Sequence, residues 1–176
     1  KLVKKKMKTI HGLVNNAGIR QRKKFQKIEN KDLDYVIENN LKSVFRLSQI
    51  FSKIMKKNSG SIVNISSIVG PRGFKELSGY AMTKGGVIAL SKSLAIELAC
   101  EGIRVNAICP GFIKTSYANN FKRKLPKIYK YTIDRTPLKR WGKSEEVSSL
   151  ILFMLSDKSS YITGNEIYVD GGWSSN

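Results

Sequence analysis

The stretch that decides the fold runs from residue 61 to residue 99 and reads SIVNISSIVGPRGFKELSGYAMTKGGVIALSKSLAIELA. Its first six residues are β-branched and mostly apolar, which favours a buried strand. A loop with proline and glycine follows over residues 70–79. From Tyr80 to Ala99 the apolar residues return at three- and four-residue spacing, which predicts a helix. The stretch therefore predicts one strand, one loop and one helix of an α/β protein.

The same alternation continues on both sides of this stretch. Strands are predicted over residues 11–15, 104–109 and 166–169, and a helix over residues 31–57. Residues 112–142 have weak periodicity and predict an irregular region with short helices. Ser144 is predicted to N-cap a further helix, because Glu145 and Glu146 suit the positive end of its dipole. Strands alternating with helices predict one α/β domain over residues 1–176, with a parallel sheet covered on both faces.

The composition is strongly basic, with 32 Lys and Arg against 13 Asp and Glu and a formal net charge of +19. The basic residues are scattered along the chain, and aromatic residues are not interleaved with them as stacking platforms. This pattern favours solubility and a mild attraction for anionic small molecules over nucleic-acid binding. A basic nucleic-acid module is kept as an alternative of another class.

Cysteine content and hydropathy bear on the compartment. Cys100 and Cys109 do not form a disulfide framework, which predicts free thiols in a reducing, cytoplasmic compartment. The longest apolar run, residues 150–155, is far shorter than a membrane span, so no membrane partner is expected. No metal site is predicted.

The candidate chemistry begins with Tyr80 and Lys84, which lie four residues apart and therefore on one face of the predicted helix. A tyrosine has an ordinary pKa near 10, and a nearby cation lowers it towards the range of a general acid or base. The spacing alone is weak, because a lysine stem laid over an aromatic ring gives the same pattern.

Polar or small residues follow three successive predicted strands. Asn15–Gly18, Ser66–Ser67 and Pro110–Gly111 each stand at such a position. The carboxyl ends of parallel strands meet at the edge where α/β sheets bind ligands. We therefore expect these segments to gather beside Tyr80.

Together these motifs resemble those of the short-chain dehydrogenase/reductase family, in their order along nearly the whole chain. The matching elements are NNAG at 15–18, Asn40 in ENNLKSVF, Ser67 in NISSIVG, YAMTK at 80–84, PGFIKT at 110–115 and YVDGGW at 168–173. The resemblance implies a Rossmann-like, doubly wound parallel sheet in three α/β/α layers. It also implies an oxidoreductase that interconverts a secondary alcohol and a ketone with NAD or NADP.

The resemblance assigns roles to individual residues. It implies that Tyr80 is the general acid or base, with Lys84 as its pKa-lowering partner and as a ligand of the nicotinamide ribose. It implies that Ser67 bonds the substrate oxygen and that Asn40 holds a water in a proton relay. The remaining cofactor contacts that it implies are Asn16, Ala17, Gly18, Pro110, Gly111, Ile113 and Thr115.

The sequence departs from the family pattern at its start. The family's glycine-rich TGxxxGxG turn, which holds the cofactor pyrophosphate, does not occur in these 176 residues. The chain thus resembles the C-terminal two thirds of a family member and lacks the first strands. We expect a fragment that is inactive and that binds cofactor weakly or not at all. The residue that selects NAD or NADP is also missing. A homodimer or homotetramer is expected by analogy, and a non-catalytic fragment that associates with intact subunits is the alternative.

The substrate is approached through two local stretches, residues 15–25 and 135–142. Both are similar to gluconate 5-dehydrogenase and related sugar-acid or polyol dehydrogenases. A basic loop with Arg20, Arg22 and Lys23 would suit a carboxylate. The same charges would suit an acidic acyl-carrier protein. A sugar acid or polyol is therefore the first expectation, and a 3-oxoacyl thioester is the alternative.

Overall fold

Four parallel strands form the central sheet of the computed structural model, which describes residues 9–55 and 59–175. The strands are β1 (Gly12–Asn15), β2 (Gly60–Ile65), β3 (Ile103–Pro110) and, last in the chain, β6 (Glu166–Val169). They lie in the order β1-β2-β3-β6, and each adjacent pair is parallel. The predicted parallel α/β sheet is confirmed.

Within residues 9–55 and 59–175, six α-helices connect or flank these strands. They are α1 (Asn30–Ile37), α2 (Ser43–Ser52), α3 (Ser78–Glu97), α4 (Ser116–Lys124), α5 (Pro126–Arg135) and α6 (Ser144–Leu155). Two short strands, β4 (Ile113–Lys114) and β5 (Gly142–Lys143), pair in parallel as a separate two-stranded sheet.

The two faces of the sheet carry different apolar clusters, because side chains alternate along each strand. On β2, Ile62 packs with Val105 and with partly buried residues of α2 and α3. The next residue, Val63, packs on the opposite face with Met154 and the apolar stripe of α6. Helices thus cover both faces, and the three-layer α/β/α architecture is confirmed.

The predicted helix over residues 31–57 is interrupted. Between α1 and α2, the segment Glu38–Lys42 is a π-helical turn, in which the Ser43 N–H donates to the Glu38 carbonyl. The helix ends at Ser52, whereas the predicted end at residue 57 lies outside the described residues. The apolar period runs through both helical forms, so the sequence pattern could not reveal the turn.

Two further local predictions are corrected. The region 112–142 holds two full helices and the β4–β5 pair, and is therefore more regular than its weak periodicity indicated. The N-cap of α6 is Lys143, and Ser144 is the first helical residue. Glu146 supplies the capping interaction instead, since its carboxylate accepts the Lys143 N–H at 2.7 Å.

Candidate active site

The carboxyl edge of the sheet places three of the four predicted catalytic side chains around one cavity, and the fourth, Asn40, lies outside its lining. Ser67 follows β2, and Tyr80 and Lys84 lie on the first two turns of α3. The Ser66 hydroxyl donates to the Lys84 carbonyl at 2.8 Å, which fixes the start of the helix against the end of the strand. The cavity has a volume of about 250 Å³ and is lined by Asn16, Gly18, Ile19, Arg20, Ile65, Ser66, Ser67, Tyr80, Lys84, Pro110 and Gly111.

Lys84 is the buried cation of this cavity, with 4% of its surface exposed. Its Nζ donates to the Ile65 carbonyl at 2.8 Å and lies 5.9 Å from the centre of the Tyr80 ring. Burial lowers the pKa of Lys84 to about 8, because water no longer solvates the ammonium. An ammonium has three N–H donors, so two of them are left for groups bound in the cavity.

Tyr80 is half-buried beside Ser67. Burial raises the pKa of its phenol, while a hydrogen bond with Ser67 and the positive charge of Arg20 act to lower it. The sequence assigned the lowering to Lys84. In this structure the Lys84 ammonium donates to the Ile65 carbonyl and lies over the Tyr80 ring, and its effect on the pKa of the phenol stays a prediction.

Asn40 is fully buried in the π-helical turn and clamps the segment that follows NNAG. Its Oδ1 accepts the Ile19 N–H at 2.7 Å, and its Nδ2 donates to the Ile19 carbonyl at 2.9 Å. The same Nδ2 also donates to the Thr83 hydroxyl at 3.2 Å. The carboxamide therefore connects the turn to α3 and to the cavity wall.

The backbone comes close to other groups at two glycines of the cavity wall. A Cβ at Gly18 would lie 3.2 Å from Asn40 Oδ1 and 3.4 Å from Lys84 Nζ. A Cβ at Gly111 would lie 2.7 Å from the Cβ of Asp170. Glycine therefore lets the wall approach Lys84 at residue 18 and lets β3 end against Asp170 at residue 111, which fits a ligand that needs close backbone contact.

The predicted cofactor contacts divide into two groups. Asn16, Gly18, Pro110 and Gly111 line the cavity together with Tyr80 and Lys84. Ala17, Ile113 and Thr115 do not line it. Ile113 lies in β4 against Gly142, and Thr115 is exposed at the N-cap of α4.

Sequence reasoning missed a buried polar network behind the cavity. Asn15 Nδ2 donates to Asn64 Oδ1 at 2.8 Å and to the Ser48 hydroxyl at 3.1 Å. Asn64 Nδ2 in turn donates to the Ser91 hydroxyl at 2.9 Å. The network connects β1, β2, α2 and α3. The one available signal was that NNAG starts with an asparagine at the end of a buried strand.

Two further cavities adjoin the first. One of about 120 Å³ shares Arg20, Ser67, Tyr80 and Gly111 with it. The other has a volume of about 380 Å³ and shares Arg20, Phe74, Leu77 and Phe112 with the small one. Its remaining lining residues are Arg22, Gly73, Lys75, Phe121, Ile128, Tyr131, Thr132, Arg135 and Trp173.

Two classes of site are not found in the part of the chain that the structure describes. No helix of residues 9–55 and 59–175 is long and apolar enough to cross a membrane. Within the same ranges, no three His, Cys, Asp or Glu side chains are grouped so that they could hold a metal ion.

In this structure a serine, a tyrosine and a lysine surround one cavity at the carboxyl edge of a parallel sheet. This arrangement is typical of Rossmann-like oxidoreductases whose catalytic residues are a serine, a tyrosine and a lysine. The family model described as "Enoyl-(Acyl carrier protein) reductase" matches residues 1–174. The chain belongs to the short-chain dehydrogenase/reductase family, whose redox cofactor is NAD or NADP.

Curated relatives of the chain include 3-oxoacyl-[acyl-carrier-protein] reductases. The chain is 48% identical to the FabG protein of Thermotoga maritima over 162 residues, which are 91% of this chain and 64% of that protein. It is 40% identical to FabG of Staphylococcus epidermidis over 161 residues, or 91% of this chain and 65% of the relative. The chain thus spans just under two thirds of the length of these relatives.

Solved structures include dehydrogenases of other substrates. A structure from Agrobacterium tumefaciens, provisionally assigned as a gluconate dehydrogenase, has a TM-score of 0.93 and 34% identity, covering 99% of this chain and 69% of that one. Levodione reductase has a TM-score of 0.92 and 35% identity, covering 99% and 70%. A second Agrobacterium structure, provisionally assigned as a 2-deoxy-D-gluconate 3-dehydrogenase, contains NADP, with a TM-score of 0.89, 36% identity and coverage of 95% and 68%.

Proposed function

We propose that the chain carries the catalytic residues of an NAD(P)-dependent 3-oxoacyl-thioester reductase. The observation that carries this proposal is that Ser67, Tyr80 and Lys84 line one cavity that adjoins a larger aromatic one. The 48% identity to a 3-oxoacyl-[acyl-carrier-protein] reductase supports this substrate class over the sugar acid expected from the local stretches. Because the chain spans 64% of that relative, the activity of the whole protein is part of the proposal.

In the proposed reaction Tyr80 donates its proton to the carbonyl oxygen of the substrate, or takes it from the alcohol in the reverse direction. The Ser67 hydroxyl donates a hydrogen bond to the same oxygen and stabilises the charge that develops on it. Lys84 holds ribose hydroxyls with the two ammonium donors that Ile65 does not use. NAD(P), when bound, supplies or accepts the hydride. Asn16, Gly18, Pro110 and Gly111 form the wall of the cleft on its side.

The larger cavity supports an acyl substrate. Aromatic and aliphatic side chains make up most of its lining, among them Phe74, Phe112, Phe121, Ile128 and Trp173. A hydrocarbon chain gains free energy by contact with these rings, while the cations Arg22, Lys75 and Arg135 line other parts of the same cavity. The apolar part of the wall therefore favours an apolar substituent on the ketone.

A sugar acid is the second candidate, favoured by Arg20 beside Tyr80 and by the likeness to the Agrobacterium structures. The basic loop is less available than the sequence indicated. Arg22 is paired with Glu76 at 3.0 Å and Lys23 with Asp32 at 2.5 Å. Of these three cations, Arg20 is the one that lines the catalytic cavity.

The proposed function is tested by kinetics on the longest reading frame that contains these residues. Reduction of an acetoacetyl thioester by NADPH or NADH is expected, with a kcat/KM at least tenfold above that for 5-ketogluconate. A higher kcat/KM for 5-ketogluconate than for the thioester would instead support a sugar acid as the substrate. The 176-residue chain is assayed beside it, and we expect it to bind NADPH weakly. Absence of turnover in both proteins would favour the alternative, a subunit that only associates with active copies.

A homo-oligomer of this chain is also proposed. Apolar side chains are exposed along α2 and α3, including Phe45 at 50%, Ile50 at 55% and Ile96 at 80%. Exposed apolar surface on neighbouring helices is typical of an interface between subunits. Light scattering after size exclusion would give a dimeric or tetrameric mass, and a monomer at micromolar concentration would contradict the proposal.

The cysteines support a reducing, cytoplasmic compartment as a further proposal. Cys100 is exposed, Cys109 is buried, and both are free thiols. Burial raises the pKa of Cys109 to about 11, so this thiol stays protonated at neutral pH. It is therefore a packing residue rather than a nucleophile.

A further inference from the structure

Arg20 occupies the junction of the three adjoining cavities. Among the described residues it is the one that lines all of them. Its guanidinium carbon lies 5.8 Å from the centre of the Phe121 ring, which places the charged head over an aromatic wall of the largest cavity. Its positive charge also acts on the Tyr80 phenol. The side chain therefore stands between the reacting groups and the space for the rest of the substrate.

The backbone on both sides of Arg20 is anchored. Ile19 exchanges two hydrogen bonds with the Asn40 carboxamide, at 2.7 and 2.9 Å. Gln21 Nε2 donates to the Asp32 carbonyl at 2.9 Å. Residue 20 is thus held in place before any ligand arrives, which reduces the entropy lost when its long side chain binds one.

The hydrogen-bond donors around the cavity lie at different places and can therefore bind different oxygens of a substrate. Ser67 and Tyr80 serve the reacting oxygen, and Lys84 lies deeper, with one donor on Ile65. A guanidinium carries its N–H donors in a planar fork, which matches the geometry of carbonyl and carboxylate oxygens. A fork at the exit of the catalytic cavity suits a second oxygen on the same substrate.

We propose that Arg20 is a specificity-determining residue that donates hydrogen bonds to a second oxygen of the substrate, in addition to the carbonyl oxygen beside Tyr80. In a 3-oxoacyl thioester this acceptor is the thioester carbonyl. In a sugar acid it is a neighbouring hydroxyl or the carboxylate. The inference rests on the proposed function for its substrates, and it predicts that ketones with a second oxygen bind more tightly than simple ketones.

Binding is measured without cofactor or turnover, through the intrinsic fluorescence of the two tryptophans. Trp173 lines the larger cavity, and Trp141 packs against its residues Phe112 and Phe121. The probes are the acetoacetyl thioester of N-acetylcysteamine, 5-ketogluconate and 1-decalone, a monoketone without a second oxygen. They are titrated into the wild type, Arg20→Met and Arg20→Lys. Arg46→Met is the matched control, because it removes one arginine from the exposed ion pair with Glu38 on α2.

We expect Arg20→Met to raise the dissociation constant of the thioester about 10- to 100-fold, as loss of a charge-assisted hydrogen bond does. Decalone binding stays within about twofold, since that ligand offers Arg20 nothing to bind. Arg20→Lys gives an intermediate loss for the thioester, and Arg46→Met gives none. A larger loss with ketogluconate than with the thioester would identify the sugar acid as the source of the second oxygen.

Three results would overturn the inference. They are an equal loss for decalone and the thioester, an unchanged dissociation constant for every probe, and no saturable binding of any oxygenated probe by the wild type. A melting temperature within about 3 °C of the wild type shows that the variants fold. If the probes bind as expected but the longest reading frame reduces none of them with NAD(P)H, the proposed function fails while the role of Arg20 in binding stands.

Discussion

Two polar clusters lie close together in the interior of the protein, and they differ in chemistry. The catalytic cluster of Ser67, Tyr80 and Lys84 contains titratable groups, faces a cavity, and has pKa values shifted by burial. The sheet cluster of Asn15, Ser48, Asn64 and Ser91 contains amides and hydroxyls that bond mainly to one another. One cluster has donors left for a ligand, and the other connects four elements of the fold.

The comparison separates polar groups that serve chemistry from polar groups that serve architecture. A buried charge with few partners costs stability, so the fold tolerates it where a ligand or a reaction uses it. A buried neutral network that is nearly satisfied costs little and fixes how elements pack. Three substitutions test this division, because each cluster should fail in its own way.

The largest effect is expected at Tyr80. Tyr80→Phe removes the proton donor while keeping the ring, so kcat should fall about 10³-fold or more, at the upper range for a general acid. The free energy of unfolding should fall by no more than about 1 kcal/mol, because the substitution removes one hydroxyl and its hydrogen bond with Ser67. Steady-state kinetics and urea denaturation measure the two quantities. A tenfold loss or less would remove Tyr80 from the catalytic role.

The opposite behaviour is expected at Asn64. Asn64→Ala leaves the Asn15 amide and the Ser91 hydroxyl without this partner and should lower the free energy of unfolding by about 2–4 kcal/mol. Below the melting temperature, kcat per folded molecule should change less than threefold. Asn39→Ala, which removes an exposed bond to the Tyr35 carbonyl, is the control and should cost under about 1 kcal/mol. Equal costs for the two variants would contradict an architectural role for the network.

The smallest effect concerns the pH dependence that Lys84 confers. Its pKa is about 8 in the fold and 10.5 as its ordinary value, so between these pH values the unfolded chain binds more protons. The unfolding free energy contributed by this group therefore rises with pH across that window and is lower below it. The free energy of unfolding of the wild type, minus that of Lys84→Met, should increase by on the order of 1–2 kcal/mol between pH 7.5 and 9.5. A flat difference across this range would mean that burial does not lower the pKa.

Much of the fold and part of the site follow from sequence because their signals are local. Short apolar patterns predict the strand SIVNIS and the helix of Tyr80, and proline and glycine predict the loop between them. The parallel sheet follows from the alternation of strands and helices along the chain. Tyr80 and Lys84 share a helix face by spacing alone.

What sequence reasoning missed depends on contacts between distant segments. The bond from Asn15 to Asn64 spans 49 residues, and no local pattern encodes it. The pairing of β4 with β5 is equally remote, and the π-helical turn shares the apolar period of a regular helix. The sequence did not distinguish Arg20 from its basic neighbours Arg22 and Lys23. In the structure Arg20 lines the catalytic cavity, whereas Arg22 and Lys23 form ion pairs with Glu76 and Asp32.

The π-helical turn at Glu38–Lys42 also constrains insertions and deletions. Such a turn holds one residue more than a regular helix of the same length, and each residue of an α-helix rotates its neighbours by about 100°. Loss of a single residue from this segment would close it to a regular helical turn and leave the relative rotation of α1 and α2 nearly unchanged. It would, however, displace the Asn40 carboxamide from the Ile19 backbone that it bonds. Length in this segment is consequently as tightly specified as side-chain identity.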